Sequence, residues 1–162
     1  MISRIVADLW DAWLAIAPAR RRAGELWRTL PGDLLGVAVM RLSGIPAPTR
    51  RVALPDGTEA LLVEDRRASL YLDHVPLKPY AQTLGRYVVA RGQLPDGTIR
   101  HELEHVRQWS RLGPLYLMAY GLESMRVILM GGHRYFDNRY ELAARSHELD
   151  EGPELQIRRA AE

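Results

Sequence analysis

The chain has 162 residues, 47% of them hydrophobic and 26% charged, a balance that suits one folded domain and excludes a disordered or fibrous chain. Its formal net charge is +2 and Lys78 is the only lysine, so the one basic run, Arg20-Arg21-Arg22, reads as solvated surface and no nucleic-acid partner is expected. The absence of cysteine excludes disulfides and thiolate metal sites, leaving nitrogen and oxygen ligands for any ion.

In chain order, Ile2, Ile5, Val6, Leu9, Trp10, Trp13, Leu14 and Ile16 recur at helical spacing, with Arg4, Asp8 and Asp11 between them. This pattern predicts an amphipathic first helix ended by Pro18. Asp8 and Asp11 interrupt the apolar core that a secretory signal needs, so a cytoplasmic location is expected. The two tryptophans make this helix a candidate contact with a membrane surface or a protein partner, although packing on the domain core is the plainer expectation. A second helix is expected over residues 19–30, broken by Pro31-Gly32 before an apolar run, 34–42, of undecided type. Residues 43–48, with two prolines and a glycine, then read as a linker.

From residue 51 the pattern shifts to short strands, predicted at 51–54, 59–64, 68–72 and 86–91, with Pro55-Asp56-Gly57-Thr58 as a turn. The string Leu-Pro-Asp-Gly-Thr occurs at 54–58 and again at 94–98 between unlike flanks, which marks a recurrent turn and not a repeat. Its second copy leads into a helix over residues 99–112, with Thr98 as cap and Gly113-Pro114 as stop. Residues 115–130 are a further long apolar stretch. Glu123 and Arg126 inside it argue against a membrane span and for a buried core helix. Gly131-Gly132 closes it, a loop runs to Asp137, and Asn138 caps a last helix reaching about residue 149. The tail after Gly152 is expected to be mobile or a short surface helix. The expectation is therefore an α+β fold, with an N-terminal helical segment (1–43), a domain with a small sheet and several helices (44–149) and a C-terminal tail (150–162).

The helix over residues 99–112 carries His101-Glu102-Leu103-Glu104-His105, the HExxH pattern of zinc metallopeptidases. With His101 at 0° on a helical wheel, His105 falls at about 40°, Glu102 at about 100° and Glu104 at about 300°. Both imidazoles share one face, and the two carboxylates flank it symmetrically, so spacing alone leaves the choice of general base open. Gln108, at about 340°, shares the metal face one turn on. Two histidines hold zinc weakly, and catalytic sites supply three protein ligands beside an open position. The downstream candidates are Glu123, His133, Asp137, Glu141, His147 and Glu148. Glu141 is preferred because it falls in the first turn of a helix whose start Asn138 fixes. Nitrogen and carboxylate ligands suit Zn2+ best, while admitting manganese, iron or cobalt.

The strings His101-Glu102-Leu103-Glu104-His105-Val106-Arg107-Gln108-Trp109, Leu112-Gly113-Pro114 and Tyr135-Phe136-Asp137-Asn138-Arg139-Tyr140-Glu141-Leu142-Ala143-Ala144-Arg145 resemble small bacterial HExxH proteins of gluzincin type. In that family a downstream Asn-x-x-Glu-x-x-Ala helix supplies the third ligand. The resemblance covers residues 86–145 and implies a minimal zincin-like domain, with His101, His105 and Glu141 as zinc ligands and Glu102 as general base. Tyr140 and Arg139 depart from the phenylalanine and proline expected there. The activity implied is that of a metallopeptidase, in which Glu102 takes a proton from zinc-bound water and returns it to the leaving amine. The alternative is an inactive zinc-binding scaffold that docks a membrane or protein partner. For the oxyanion, Tyr135, Tyr140, His133 and His147 are the local donors, with Tyr135 the first choice. The strand at 86–91 is expected to pair with an extended peptide or protein substrate.

Overall fold

The computed structural model describes residues 23–148 and 154–160, with side chains from Trp27 onward. The amphipathic helix expected near residues 2–16 lies outside the described residues. Among those described, the fold is mixed α+β, with five helices and one five-stranded sheet. The helices are α1 (Ala23–Leu42), α2 (Ser69–Leu72), α3 (Asp96–Leu112), α4 (Leu115–Leu129) and α5 (Arg139–Glu148). The strands are β1 (Arg50–Ala53), β2 (Glu59–Glu64), β3 (Ala81–Leu84), β4 (Tyr87–Ala90) and β5 (Gln156–Arg159), in the order β3-β4-β2-β1-β5. The β2/β4 pair is parallel and the other pairs are antiparallel.

Two apolar layers sandwich this sheet. On one face Leu61, Val63, Tyr87 and Val89 pack with Val37, Met40 and Leu72, which belong to α1 and α2. On the other, Val52, Leu62, Val88 and Ala90 pack with Ile99, Leu103 and Val106 of α3. Coverage on both faces explains why the centres of β2 and β4 read as unbroken apolar runs instead of alternating ones.

Several expectations change. Pro31 does not break the chain. Thr29, Gly32, Asp33, Gly36, Val37 and Met40 keep one buried face at helical spacing straight through it, and burial of that face outweighs the bond an exposed proline withholds. The two glycines serve close approach. A Cβ on Gly32 would lie 2.5 Å from the Gly85 nitrogen, and one on Gly36 would lie 2.6 Å from the Tyr87 Cβ. Asp33 then locks α1 to the β3–β4 hairpin, accepting from the Arg86 backbone nitrogen at 2.7 Å and from its Nε at 2.9 Å, with both side chains buried.

The strand expected at 68–72 is instead a 3₁₀ turn, Arg66–Ala68, followed by α2. Asp65 caps the turn by accepting from the Arg67 nitrogen at 2.9 Å, while Ala68 and Leu72, four apart, point into the core. Helix α3 begins at Asp96 behind Pro95, three residues earlier than a Thr98 cap would place it. Helix α4 is not a buried core helix, since only Tyr116, Glu123 and Val127 along it are buried. The tail holds a strand, β5, which pairs with the β1 edge although each of its four residues is exposed.

Candidate metal centre

Helix α3 presents His101 and His105 on one face, their Nε2 atoms 3.2 Å apart and their rings edge to face. Helix α5 brings the third group. Asn138, fully buried, accepts from the Tyr140 nitrogen at 2.9 Å to cap α5, and donates from Nδ2 to Ser124 Oγ at 2.9 Å, so the cap is tied to α4. Glu141 in that first turn points at the histidines, with Oε2 3.4 Å from His101 Nε2 and Oε1 3.4 Å from His105 Nε2. Tyr120 of α4 donates to Oε1 at 2.8 Å. Among the described residues, His101, His105 and Glu141 form the group able to hold a metal ion, and all three are buried.

The separations test that fit. Four ligands at ~2.0–2.1 Å around a tetrahedral zinc stand about 3.3–3.4 Å apart, close to the 3.2 and 3.4 Å seen here. Glu141 Oε2 is buried with no hydrogen-bond partner, an arrangement that is costly unless a cation takes it. The tautomer also agrees. Gln108 Nε2 donates to the Tyr140 carbonyl at 3.1 Å, which turns its Oε1 toward His105 Nδ1, 2.9 Å away. That nitrogen therefore carries the proton, and Nε2 faces Glu141 as a bare lone pair when the ring is neutral. The Tyr116 hydroxyl lies 3.0 Å from the same Nδ1. On the other ring, His101 Nδ1 has no hydrogen bond, and Glu148 Oε2 is 3.6 Å from it.

Electrostatics record the concentration of charge. Burial disfavours ionisation of Glu141 and of His105, but their mutual contacts win. Glu141 is held well below the usual carboxylate range by His101 and His105, and His105 is pushed up to about 9. Burial, then the neighbouring Glu141, raises the Tyr120 hydroxyl, which stays a donor.

The two flanking carboxylates part company. Glu102 turns to the sheet side, where Thr83 of β3 donates to its Oε2 at 2.5 Å, and it lines the cleft beside the histidines. Glu104 turns the other way, buried among Arg107 at 3.4 Å, Arg111 at 3.9 Å and His147 at 3.6 Å. The cleft, about 750 Å³, is bounded by the segment from Val75 to Thr83 on one side and by α4 with the 133–136 loop on the other. Of the four candidate oxyanion donors, Tyr135 and His133 line it, whereas Tyr140 and His147 do not. His133 already accepts from the Tyr135 and Phe136 nitrogens, each at 3.2 Å, through Nδ1. Tyr135 is half-buried, and burial followed by Glu141 raises its hydroxyl.

Glu123, another ligand candidate, is bonded to Arg126 at 2.7 and 2.9 Å and takes no part in the group. The strand offered for substrate pairing needs correction. β4 is hydrogen-bonded to β3 on one side and β2 on the other, so both its edges are filled. The unpaired edge beside the cleft belongs to β3, at Ala81 and Gln82, while the Thr83 carbonyl already accepts from Trp109 Nε1 at 3.3 Å. Thr83, Tyr116, Tyr120 and β3 itself escaped sequence reasoning. The signal in reach was the pair of hydroxyl-bearing rings four apart, Tyr116 and Tyr120, on an otherwise aliphatic helix. No protein-family model, curated protein or solved structure matches the chain.

Proposed function

We propose that the chain is a zinc-dependent hydrolase of peptide bonds, held together at His101, His105 and Glu141, with Glu102 as general base. The observation that carries this reading is the triangle of ligand atoms at 3.2, 3.4 and 3.4 Å with a second carboxylate, Glu102, held beside it at the cleft. Zinc, when bound, supplies Lewis acidity, polarising a carbonyl and making water easier to deprotonate. Glu102 takes the proton of the attacking water on its carboxylate and passes it to the leaving amine. The Thr83 hydroxyl fixes one oxygen of that carboxylate and leaves the other for the transfer. Tyr135 is the cleft-wall donor for the oxyanion. The free edge of β3 offers main-chain groups to an extended peptide, a mode that reads backbone more than side chain.

The test is a pair of measurements on the full chain purified without chelator. Elemental analysis is expected to give about one zinc per chain, lost in Glu141→Ala. A peptide library is expected to be cleaved by the parent and about 10²–10⁴-fold more slowly by Glu102→Gln, which keeps its zinc. Zinc retained with no cleavage of any peptide would leave the scaffold reading in place. Absence of zinc after it is offered back would end both.

A further inference from the structure

We infer that the exposed face of α4 is a docking surface for an anionic lipid bilayer, on which the helix lies flat. Leu115, Met118, Leu122, Met125 and Leu129 fall within about 80° of one another on this helix, and all are exposed, Leu122 to 61% and Leu129 to 83%. Leu117 and Ile128, also exposed, widen the strip. Such a contiguous apolar surface, left by a helix that buries only Tyr116, Glu123 and Val127, marks an interaction site and not ordinary surface.

Charge and length select the partner. Arg126 is the charged side chain on the exposed arc, and the one carboxylate of the helix, Glu123, is buried beneath it in ion pairs with Arg126 and Arg139. Arg139, which shares Glu123, and Arg134, whose carbonyl accepts from Ser124 of this helix, are exposed beside it. Arg126, Arg134 and Arg139 outnumber Glu123, the carboxylate that pairs with two of them, and anionic headgroups would neutralise the excess. A 15-residue helix is about 22 Å long, short of the roughly 30 Å hydrocarbon core, so it rests in the interface plane instead of crossing. None of the described helices is long and apolar enough to cross a membrane.

The same helix forms one wall of the cleft, through Leu117, Tyr120 and Gly121. Docking therefore sets the cleft mouth at headgroup level. If the cleft works as proposed above, its substrates are polypeptide segments at a membrane surface, but docking itself does not depend on that use.

The test is co-sedimentation of the full chain with phosphatidylcholine vesicles, with and without phosphatidylglycerol, for the parent and for the double variant Leu122→Glu/Met125→Glu. Both substituted side chains are exposed, and unchanged circular dichroism and thermal unfolding check the variant's fold. The expected result is binding to the anionic vesicles that weakens as salt is added and falls by about tenfold or more in the variant. Three results would overturn the inference. One is no sedimentation of the parent with anionic vesicles. Another is binding that persists unchanged in the variant, which places it off this strip. The third is a dimer of the parent that the variant dissociates, which makes the strip a contact between copies.

Discussion

At Gln108 the side-chain amide is fixed from both ends, by the Tyr140 carbonyl at 3.1 Å and by His105 Nδ1 at 2.9 Å. The residue is not one of the candidate ligands, yet it sets which nitrogen of His105 faces Glu141. The pH dependence of zinc binding tests this assignment. Without metal, His105 stays protonated until about pH 9, and zinc needs the bare nitrogen, so binding near pH 7 must expel a proton. Zinc affinity, read by chelator competition, is expected to rise about tenfold per pH unit from pH 6.5 and to level off near 9. Gln108→Met is expected to lower it about 10–100-fold at neutral pH while leaving the fold intact. The metal-free protein behaves in the opposite sense. The folded-state value of His105 lies above its ordinary 6.5, so its contribution to stability is fully present below 6.5 and is lost as pH rises through about 9. Glu141, lowered from its ordinary 4.5, contributes above that value and loses its contribution as the solution is acidified.

At the scale of elements, the lesson of α1 is that Pro31-Gly32 looks like a stop and is instead the middle of a helix. Local chemistry argued for a break, and the glycines answered to a contact with β3 and β4 that lies more than fifty residues away in sequence. Gly36→Ala tests this, since its Cβ would meet Tyr87 atoms at 2.6 and 2.7 Å. The substitution is expected to cost about 1–3 kcal/mol in denaturant unfolding. Gly121→Ala, in the middle of α4 with nothing within 4 Å of the new Cβ, is the contrast. There the gain in helix propensity is expected to stabilise by about 0.5–1 kcal/mol. A helix break at Pro31 would make the two substitutions alike.

At the scale of the whole molecule, the candidate centre is a cross-link. His101 and His105 belong to α3, Glu141 to α5, and Tyr120 of α4 closes the ring around them. An ion held there binds the folded chain and not the unfolded one, so free zinc at 1,000 times Kd adds about 4 kcal/mol. For a chain of this size that raises Tm by roughly 8–16 °C. Calorimetry with zinc and with chelator reads the shift directly, and His105→Ala is expected to abolish it. A shift that survives in His105→Ala would place the ion elsewhere.

What the sequence by itself determined is what local geometry can carry. Two histidines four apart must share a helix face, and an asparagine three residues before Glu141 caps a helix whose first turn holds that carboxylate, so the group that could hold a metal was legible before any fold. The unbroken apolar run of β2 was legible for the same reason. Tertiary structure decided the rest. The helical wheel sets Glu102 and Glu104 symmetrically about the metal face, and only Thr83 from β3 on one side and Arg107, Arg111 and His147 on the other assign one to the cleft and the other to an ion-pair cluster. The outward face of α4 and the pairing of β5 with β1 belong to the same class. An apolar helix reads alike whether a neighbour covers it or not, and a strand such as Gln156–Arg159 takes its conformation from a partner about a hundred residues away.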